Sequence, residues 1–188
     1  MVEKLAINKA REVFKKVEKD YEELIVIGGD TVVFFNGKIL GKPKDEEDAY
    51  NMLKKLQNNV NYVYSGLAVI IKRDGKIIEK NDYTKTAVYI KKMTDNEIKE
   101  YIETKEPLDK AGSYAIQGIG RKFIEKIEGS YNSVVGLDTE KLVKFISWNF
   151  GDGEKNHPFI VQGIKDEKYL INYDFFLRPQ NSNWQYYE

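Results

Sequence analysis

Two β-rich runs, Tyr62 to Lys72 and Lys76 to Tyr89, constrain the fold of this chain more than any other feature. They are joined through Asp74-Gly75, and an Asp-Gly pair between two such runs favours a tight hairpin turn. The sequence therefore predicts a long antiparallel pair of strands. Such a pair gives neighbouring amphipathic helices a sheet on which to pack.

Helical periodicity appears on both sides of this hairpin. A first amphipathic helix is predicted from apolar residues at three- and four-residue steps: Leu5, Ala10, Val13, Phe14, Val17 and Tyr21. Asp45 is predicted to cap a second helix that ends near Asn58. Thr94 with Glu97 forms a capping box for a third, and Asp138 caps a fourth. The chain is therefore predicted to be a mixed α/β protein.

A short apolar run, Leu24 to Ile27, is followed by Gly28-Gly29 and then by Asp30. This pattern predicts a strand covered on both faces that ends at the glycines, with a separate hairpin built on Asn36-Gly37 after it. A carboxylate just past the end of a buried strand lies where α/β sheets place ligand sites. Asp30 is thus a candidate metal ligand or water-activating group. The alternative is that it only caps the glycine turn.

The composition excludes several classes of function. Lysine plus arginine equals aspartate plus glutamate at 30 each, so no overall field attracts nucleic acid, and none is predicted as a partner. The absence of cysteine excludes disulfides and thiolate chemistry. No apolar run approaches the roughly 20 residues of a membrane helix, and the charged first residues are unlike a signal peptide. We therefore expect a soluble cytoplasmic protein with no membrane partner.

The stretch from Glu106 to Gly120 combines acidic side chains, Lys110, Gln117 and several small residues. Such a stretch suits recognition of a polyphosphate or of a base edge, although a plain surface loop has the same composition. Lys42 is a second candidate for phosphate binding. A lone lysine beside a hairpin is, however, more often simply solvated.

Three segments together resemble the Maf family from near its second motif onward: GGDTVVFFNGKILGKPKDEEDAYNMLKKL, VYSGLAVI and EPLDKAGSYAIQGIGRKFIEKIEGSYNSVVGLD. The resemblance covers Leu5 to Ile146. It implies a fold similar to the inosine triphosphate pyrophosphatases, with two lobes around a nucleotide-binding cleft. It also implies cleavage of a nucleoside triphosphate to the monophosphate and pyrophosphate with a divalent cation, Mg²⁺ or Mn²⁺, in nucleotide-pool house-cleaning.

The resemblance also assigns roles to individual residues. Asp30 matches the catalytic aspartate, taken as the general base and as a metal ligand. The residues that match substrate-binding positions are Thr31, Lys42, Asp109, Lys110 and Gln117. Thr31 and the Ile116-Gln117-Gly118 motif resemble the branch that hydrolyses dTTP and UTP, not the branch that hydrolyses 7-methyl-GTP. We predict that these residues converge on one cleft.

The chain departs from the family pattern at both ends. Residues 1–146 form the Maf-like domain, which we expect to be N-terminally truncated because the S-x-x-R-R segment that binds the triphosphate is missing. A catalytically weak or inactive nucleotide-binding protein is therefore the alternative function. Residues 147–188 form a C-terminal extension of unknown role. We expect the sheet to be open where the family's first strand would lie, or covered there by this extension, and a homodimer is compatible with the sequence.

Overall fold

The computed structural model describes residues 1–150, 158–162 and 169–172, with side chains through residue 146. The helices of this part are α1 (Val2–Val17), α2 (Glu46–Leu56), α3 (Asp95–Glu103), α4 (Tyr131–Val135) and α5 (Thr139–Phe150). The strands are β1 (Leu24–Phe35), β2 (Lys38–Leu40), β3 (Val60–Arg73), β4 (Lys76–Ile90), β5 (Ile124–Glu128), β6 (Pro158–Gln162) and β7 (Tyr169–Asn172). Three 3₁₀ turns lie between α3 and β5: Glu106–Asp109, Ala111–Ser113 and Gly118–Phe123.

The strands form one mixed sheet in the order β5-β4-β3-β1-β6-β7, with β2 paired to β1. Both β1–β3 and β3–β4 are antiparallel, whereas β6 runs parallel to β1. This arrangement confirms the predicted mixed α/β class. Part of the C-terminal extension thus pairs with the sheet, but whether β6 lies where the family's first strand would lie stays a prediction.

The turns and helix caps follow the sequence closely. Asp74 and Gly75 adopt left-handed conformations, with φ of 50° and 70°, and close the long β3–β4 hairpin as predicted. The side chain of Asp45 accepts a hydrogen bond from the Asp48 amide at the start of α2. The capping box of Thr94 and Glu97 is complete at α3. Local side-chain chemistry therefore determines where these elements begin and end.

The prediction that a strand ends at Gly28-Gly29 is wrong, because β1 continues through both glycines to Phe35. The reason lies in tertiary structure. A Cβ atom on Gly28 would lie 2.3 Å from the carbonyl oxygen of Ala6, and one on Gly66 of β3 would lie 2.5 Å from that of Val2. The glycines let the backbone of α1 lie directly on the sheet. Asp30 is consequently inside a strand and not past its end.

The apolar face of α1 also differs in part from the prediction. Leu5 is 41% exposed, and Tyr21 lies beyond the end of the helix. The residues that α1 buries are Val2, Ala6, Ile7, Ala10, Val13 and Phe14. Ala10, Val13 and Phe14 are buried as predicted, while the two alanines Ala6 and Ala10 bring the helix close to the sheet.

Three apolar clusters place Asp30 and Thr31 at a junction within the sheet. The first half of β1 packs against α1 through Val26 and its neighbours, and against α5 through Ile25 and Ile27. Val33, in the second half, joins the cluster built around α2 and α3. Asp30 and Thr31 therefore lie between the part of the sheet covered by α1 and α5 and the part covered by α2 and α3. The two-lobed arrangement stays a prediction.

The helices of the described ranges are all too short or too polar to traverse a lipid bilayer.

Candidate functional site

Asp30 lies on the face of β1 that α1 covers. Its Oδ1 atom accepts a hydrogen bond from Lys9 Nζ at 2.7 Å, and the Asp30 side chain is 16% exposed. Lys9 Nζ also donates to the carbonyl oxygen of Gly29, at 3.3 Å. The close approach of α1 at Gly28 brings Lys9 to the carboxylate. Asp30 is thus a half-buried carboxylate oriented by one ammonium group.

Lys9 is not among the candidate residues predicted from the sequence, because lysines of an amphipathic helix ordinarily lie on its solvent-exposed face. The available signal is the pair Ala6 and Ala10, because two small residues one turn apart indicate that a helix approaches its neighbour closely. A lysine next to this region of close approach can reach a residue on the sheet. Lys9 is 45% exposed, so its ammonium remains accessible to an anion as well as to Asp30.

Thr31 points to the opposite face of β1, because side chains alternate along a strand. Its Oγ1 atom lies 3.1 Å from Ser65 Oγ, across the β1–β3 pair. Ser65 Oγ in turn lies 3.5 Å from the carbonyl oxygen of Gly136, at the end of α4. The Thr31 hydroxyl is therefore part of a small polar cluster beneath α4.

The backbone of β1 has an unpaired stretch beside these two residues. On the edge away from β3, β1 pairs with β6 over Ile25–Gly28 and with β2 over Val33–Phe35. Within the described chain, no strand pairs with residues 29–32 on that edge. Asp30 and Thr31 lie on opposite faces, but both border this gap. A ligand at the gap can contact both side chains together with backbone groups that no described strand pairs.

Lys42, Asp109 and Lys110 form a second group. Lys42 Nζ lies 2.7 Å from Asp109 Oδ1, and Lys110 Nζ lies 3.6 Å from Asp109 Oδ2. The amide of Gly112 donates to the carbonyl oxygen of Gly41, which ties the two segments together at 3.0 Å. The structure thus brings Lys42 to the adjacent pair Asp109 and Lys110, although Lys42 and Asp109 are 67 residues apart in the sequence.

Gln117 lies on a neighbouring loop, residues 115–120, which we call the Gln117 loop. Gln117 is exposed, while Ile116 before it is buried in the core of α2 and α3. Glu106 accepts hydrogen bonds from backbone amides of this loop, and the charge of Lys110 helps to stabilise its ionised form. Burial alone raises the pKa of Glu106, but the hydrogen bonds and Lys110 together lower it below its ordinary value.

The predicted residues therefore fall into two groups. Asp30 and Thr31 border the gap in β1, whereas Lys42, Asp109, Lys110 and the Gln117 loop are connected to one another. Among the described residues, no hydrogen bond or ion pair joins Asp30 to Gln117. Their convergence on a single cleft stays a prediction.

The Asp30 carboxylate is suited to a metal ion whose other ligands come from the substrate. In the described part of the chain, no three Asp, Glu, His or Cys residues lie together as a metal cluster. Mg²⁺, however, is commonly bound by one or two carboxylates together with substrate phosphates. Asp30 can supply such a carboxylate, with the remaining ligands coming from phosphates and water.

The profile of the Maf family, described as Maf-like protein, matches residues 1–148. This chain belongs to the Maf family. The matched range includes α1 to α4, β1 to β5 and every residue of both groups. The Maf domain therefore contains the whole candidate site.

Several curated relatives of this Maf domain have the name dTTP/UTP pyrophosphatase. The chain is similar to the protein of that name from Clostridium botulinum (strain Alaska E43 / Type E3), with 54% identity over 75% of this chain and 72% of the relative. The corresponding protein from Thermoanaerobacter sp. (strain X514) is 49% identical over 78% of this chain and 74% of the relative. The protein from Clostridium novyi (strain NT) is also 49% identical, over 80% and 74%.

Proposed function

We propose that this chain is a nucleoside triphosphate pyrophosphatase that hydrolyses dTTP and UTP to the monophosphate and pyrophosphate. The observation that carries the proposal is the Asp30 carboxylate, oriented by Lys9 beside an unpaired stretch of β1. The family membership and the names of relatives about half identical to this chain support the same activity.

In the proposed reaction Asp30 acts as the general base. Its Oδ1 atom is occupied by Lys9, whereas Oδ2 has no hydrogen bond to a described residue and is free to accept a proton from water. The water oxygen forms a bond to the α-phosphorus, and the bond from that phosphorus to the α–β bridging oxygen breaks. Pyrophosphate leaves with the electron pair of that bond. General-base assistance contributes about 10²–10⁴-fold to such reactions.

Positively charged groups from both parts of the site neutralise the phosphates in this proposal. Lys9 is beside Asp30, and Lys42 and Lys110 are paired with Asp109 in the second group. All three ammonium groups are partly exposed, so a triphosphate can compete for them without unfolding the chain. A divalent cation, held by Asp30 and by phosphate oxygens, would supply further charge neutralisation.

Thr31 and Gln117 are the proposed determinants of base selectivity. The Thr31 hydroxyl can donate or accept, and the Gln117 amide can do both at once. These groups match the mixed donors and acceptors on the edge of thymine or uracil. A site that uses such hydrogen bonds discriminates strongly against a base that cannot form them.

The test is pyrophosphate release from dTTP, UTP, CTP, ITP and 7-methyl-GTP, each with Mg²⁺, with Mn²⁺ or with a chelator. We expect dTTP and UTP to be the preferred substrates and the chelator to abolish release. A preference for 7-methyl-GTP would contradict the subgroup. Saturable binding of dTTP without any pyrophosphate release would instead support the alternative, a nucleotide-binding protein with little or no activity.

A further inference from the structure

The carboxylate of Glu106 lies at the centre of a hydrogen-bond network under the Gln117 loop. Glu106 Oε1 accepts from the amide of Ile119 at 3.0 Å. Glu106 Oε2 accepts from the amide of Gly120 at 2.8 Å and from the Tyr101 hydroxyl at 2.6 Å. The Tyr101 hydroxyl oxygen accepts from the amide of Ala115 at 3.1 Å. Two side chains therefore bind both ends of the loop that carries Gln117.

The chemistry of this network requires a carboxylate. Each of the three groups that bind Glu106 is a donor, and an ionised carboxylate has acceptors only. A glutamine would place its NH₂ group against an N–H or O–H donor. Tyr101 is suited to the other position, because one hydroxyl can donate to Glu106 and accept from Ala115 at the same time.

Tyr101 connects this network to the hydrophobic core. It is 1% exposed, in the middle of the cluster around α2 and α3, and its ring centroid lies 5.2 Å from that of Phe123. The network is therefore attached to the buried core of the protein.

The glycines of the Gln117 loop leave space for these oxygens. A Cβ atom on Gly118 would lie 2.2 Å from Glu106 Oε1, and one on Gly120 would lie 2.3 Å from the Tyr101 hydroxyl oxygen. Gly118 also has a positive φ of 71°, which favours glycine, and the 3₁₀ turn Gly118–Phe123 begins there, immediately after Gln117. Gln117 thus lies between the buried Ile116 and a turn that closes over Glu106.

We propose that Glu106 and Tyr101 are positioning residues that hold the Gln117 loop in the conformation in which Gln117 reads the nucleotide base. The proposal rests on the proposed function of the site. Neither residue needs to touch the nucleotide, because both act through the backbone of the loop. Their loss should therefore reduce discrimination between bases more than it reduces hydrolysis itself.

Amide hydrogen exchange tests the first half of this proposal, because three of the hydrogen bonds use backbone amides of the Gln117 loop. In Glu106→Gln we expect exchange at Ile119 or Gly120 to accelerate roughly 10- to 100-fold, the range expected for losing a hydrogen bond to a charged group. Tyr101→Phe keeps the ring and should accelerate exchange at Ala115 by a smaller factor. Glu103→Gln is the matched control, since Glu103 is an exposed carboxylate at the end of α3, shortly before Glu106.

The ratio of kcat/KM for UTP to that for CTP tests the second half, because these nucleotides differ at the base edge alone. In Glu106→Gln we expect this ratio to fall about tenfold or more, mainly through a higher KM for UTP. Faster exchange with an unchanged ratio would show a purely structural role and overturn the proposal. Unchanged exchange, or equal effects in Glu103→Gln, would overturn it as well.

Equilibrium binding separates this proposal from the proposed function. UTP and CTP affinities are measured with Mg²⁺ in Asp30→Asn, with and without Glu106→Gln, over times short compared with its slowed hydrolysis. If the unaltered chain releases no pyrophosphate, the proposed function fails, yet loss of the UTP preference with Glu106→Gln still supports the positioning role. A chain that binds neither nucleotide contradicts both.

Discussion

The two parts of the candidate site are held in place in different ways. Asp30 is in the interior of β1, paired with Gly66 of β3 and covered by α1. None of the described strands pairs with the Gln117 loop, and two side chains, Glu106 and Tyr101, bind its backbone amides. Groups on strands are held more rigidly than groups on loops. We infer that the reaction and the contribution of Gln117 to the choice of base can be altered separately.

Asp30→Asn should have the largest effect of the substitutions considered. It should lower the rate of hydrolysis without changing the conformation of the Gln117 loop. The amide preserves the shape of the side chain but cannot accept the proton from water, so we expect kcat to fall by about 10²-fold or more. The UTP preference in the residual activity or in binding should remain. Steady-state kinetics measure this, with the exposed Asp20→Asn as the control. Unchanged kcat would remove Asp30 from the catalytic role.

Gly28→Ala should disturb the contact between α1 and the sheet. The new methyl group would meet the carbonyl oxygen of Ala6, so we expect the free energy of unfolding to fall by about 1–3 kcal/mol. Because Lys9 moves with α1, kcat should fall as well, while the UTP preference stays. Chemical denaturation and kinetics measure the two effects.

The control for this substitution is Gly41→Ala, where a Cβ atom meets nothing within 4 Å. Its stability should remain the same or rise by up to about 1 kcal/mol. Equal destabilisation by both substitutions would contradict the role assigned to the α1 contact.

Low pH should loosen the Gln117 loop and leave the strand that carries Asp30 unchanged. Burial raises the pKa of Glu106, but its hydrogen bonds and Lys110 outweigh burial, so the folded pKa is lower than the unfolded one. The ionised carboxylate therefore stabilises the loop at pH values above the ordinary pKa of about 4.3, and this stabilisation is lost as the pH falls through the folded value.

Amide exchange at Ile119 and Gly120, corrected for its intrinsic pH dependence, should thus accelerate in acid. The effect should be absent in Glu106→Gln, and amides in the middle of β1 should show none. It should be smaller than the effects of the substitutions, since it requires protonation of a stabilised carboxylate. Loss of β1 protection at the same pH would indicate global unfolding and contradict a local effect.

The sequence predicted those features of the fold that depend on neighbouring residues. The turn at Asp74-Gly75 and the caps at Asp45, Thr94 and Asp138 form as expected, because each is stabilised within a few residues. β5 and α4 were not predicted. They are short, and each contains few buried residues to show a periodicity.

The sequence-based predictions that failed at the candidate site failed for one reason. Each depends on a contact between segments that are distant in the sequence. Gly28-Gly29 resembles the end of a strand until the backbone of α1 is placed upon it. Lys9 resembles a solvent-exposed helix residue until that helix brings it to Asp30. The catalytic role of Asp30 stays a prediction, and its position inside β1 was not foreseen.

The contact of α1 with Gly28 and Gly66 determines which amino-acid substitutions in α1 preserve the position of Lys9. Backbone carbonyl oxygens of the helix and the small side chain of Ala10 face glycines of the sheet, so the spacing there depends on small residues in both elements. Exchanges among apolar residues farther along the helix, such as Val13 and Phe14, can alter stability while the spacing is retained. Such exchanges can therefore leave Lys9 beside Asp30, provided that both glycines and Ala10 are kept.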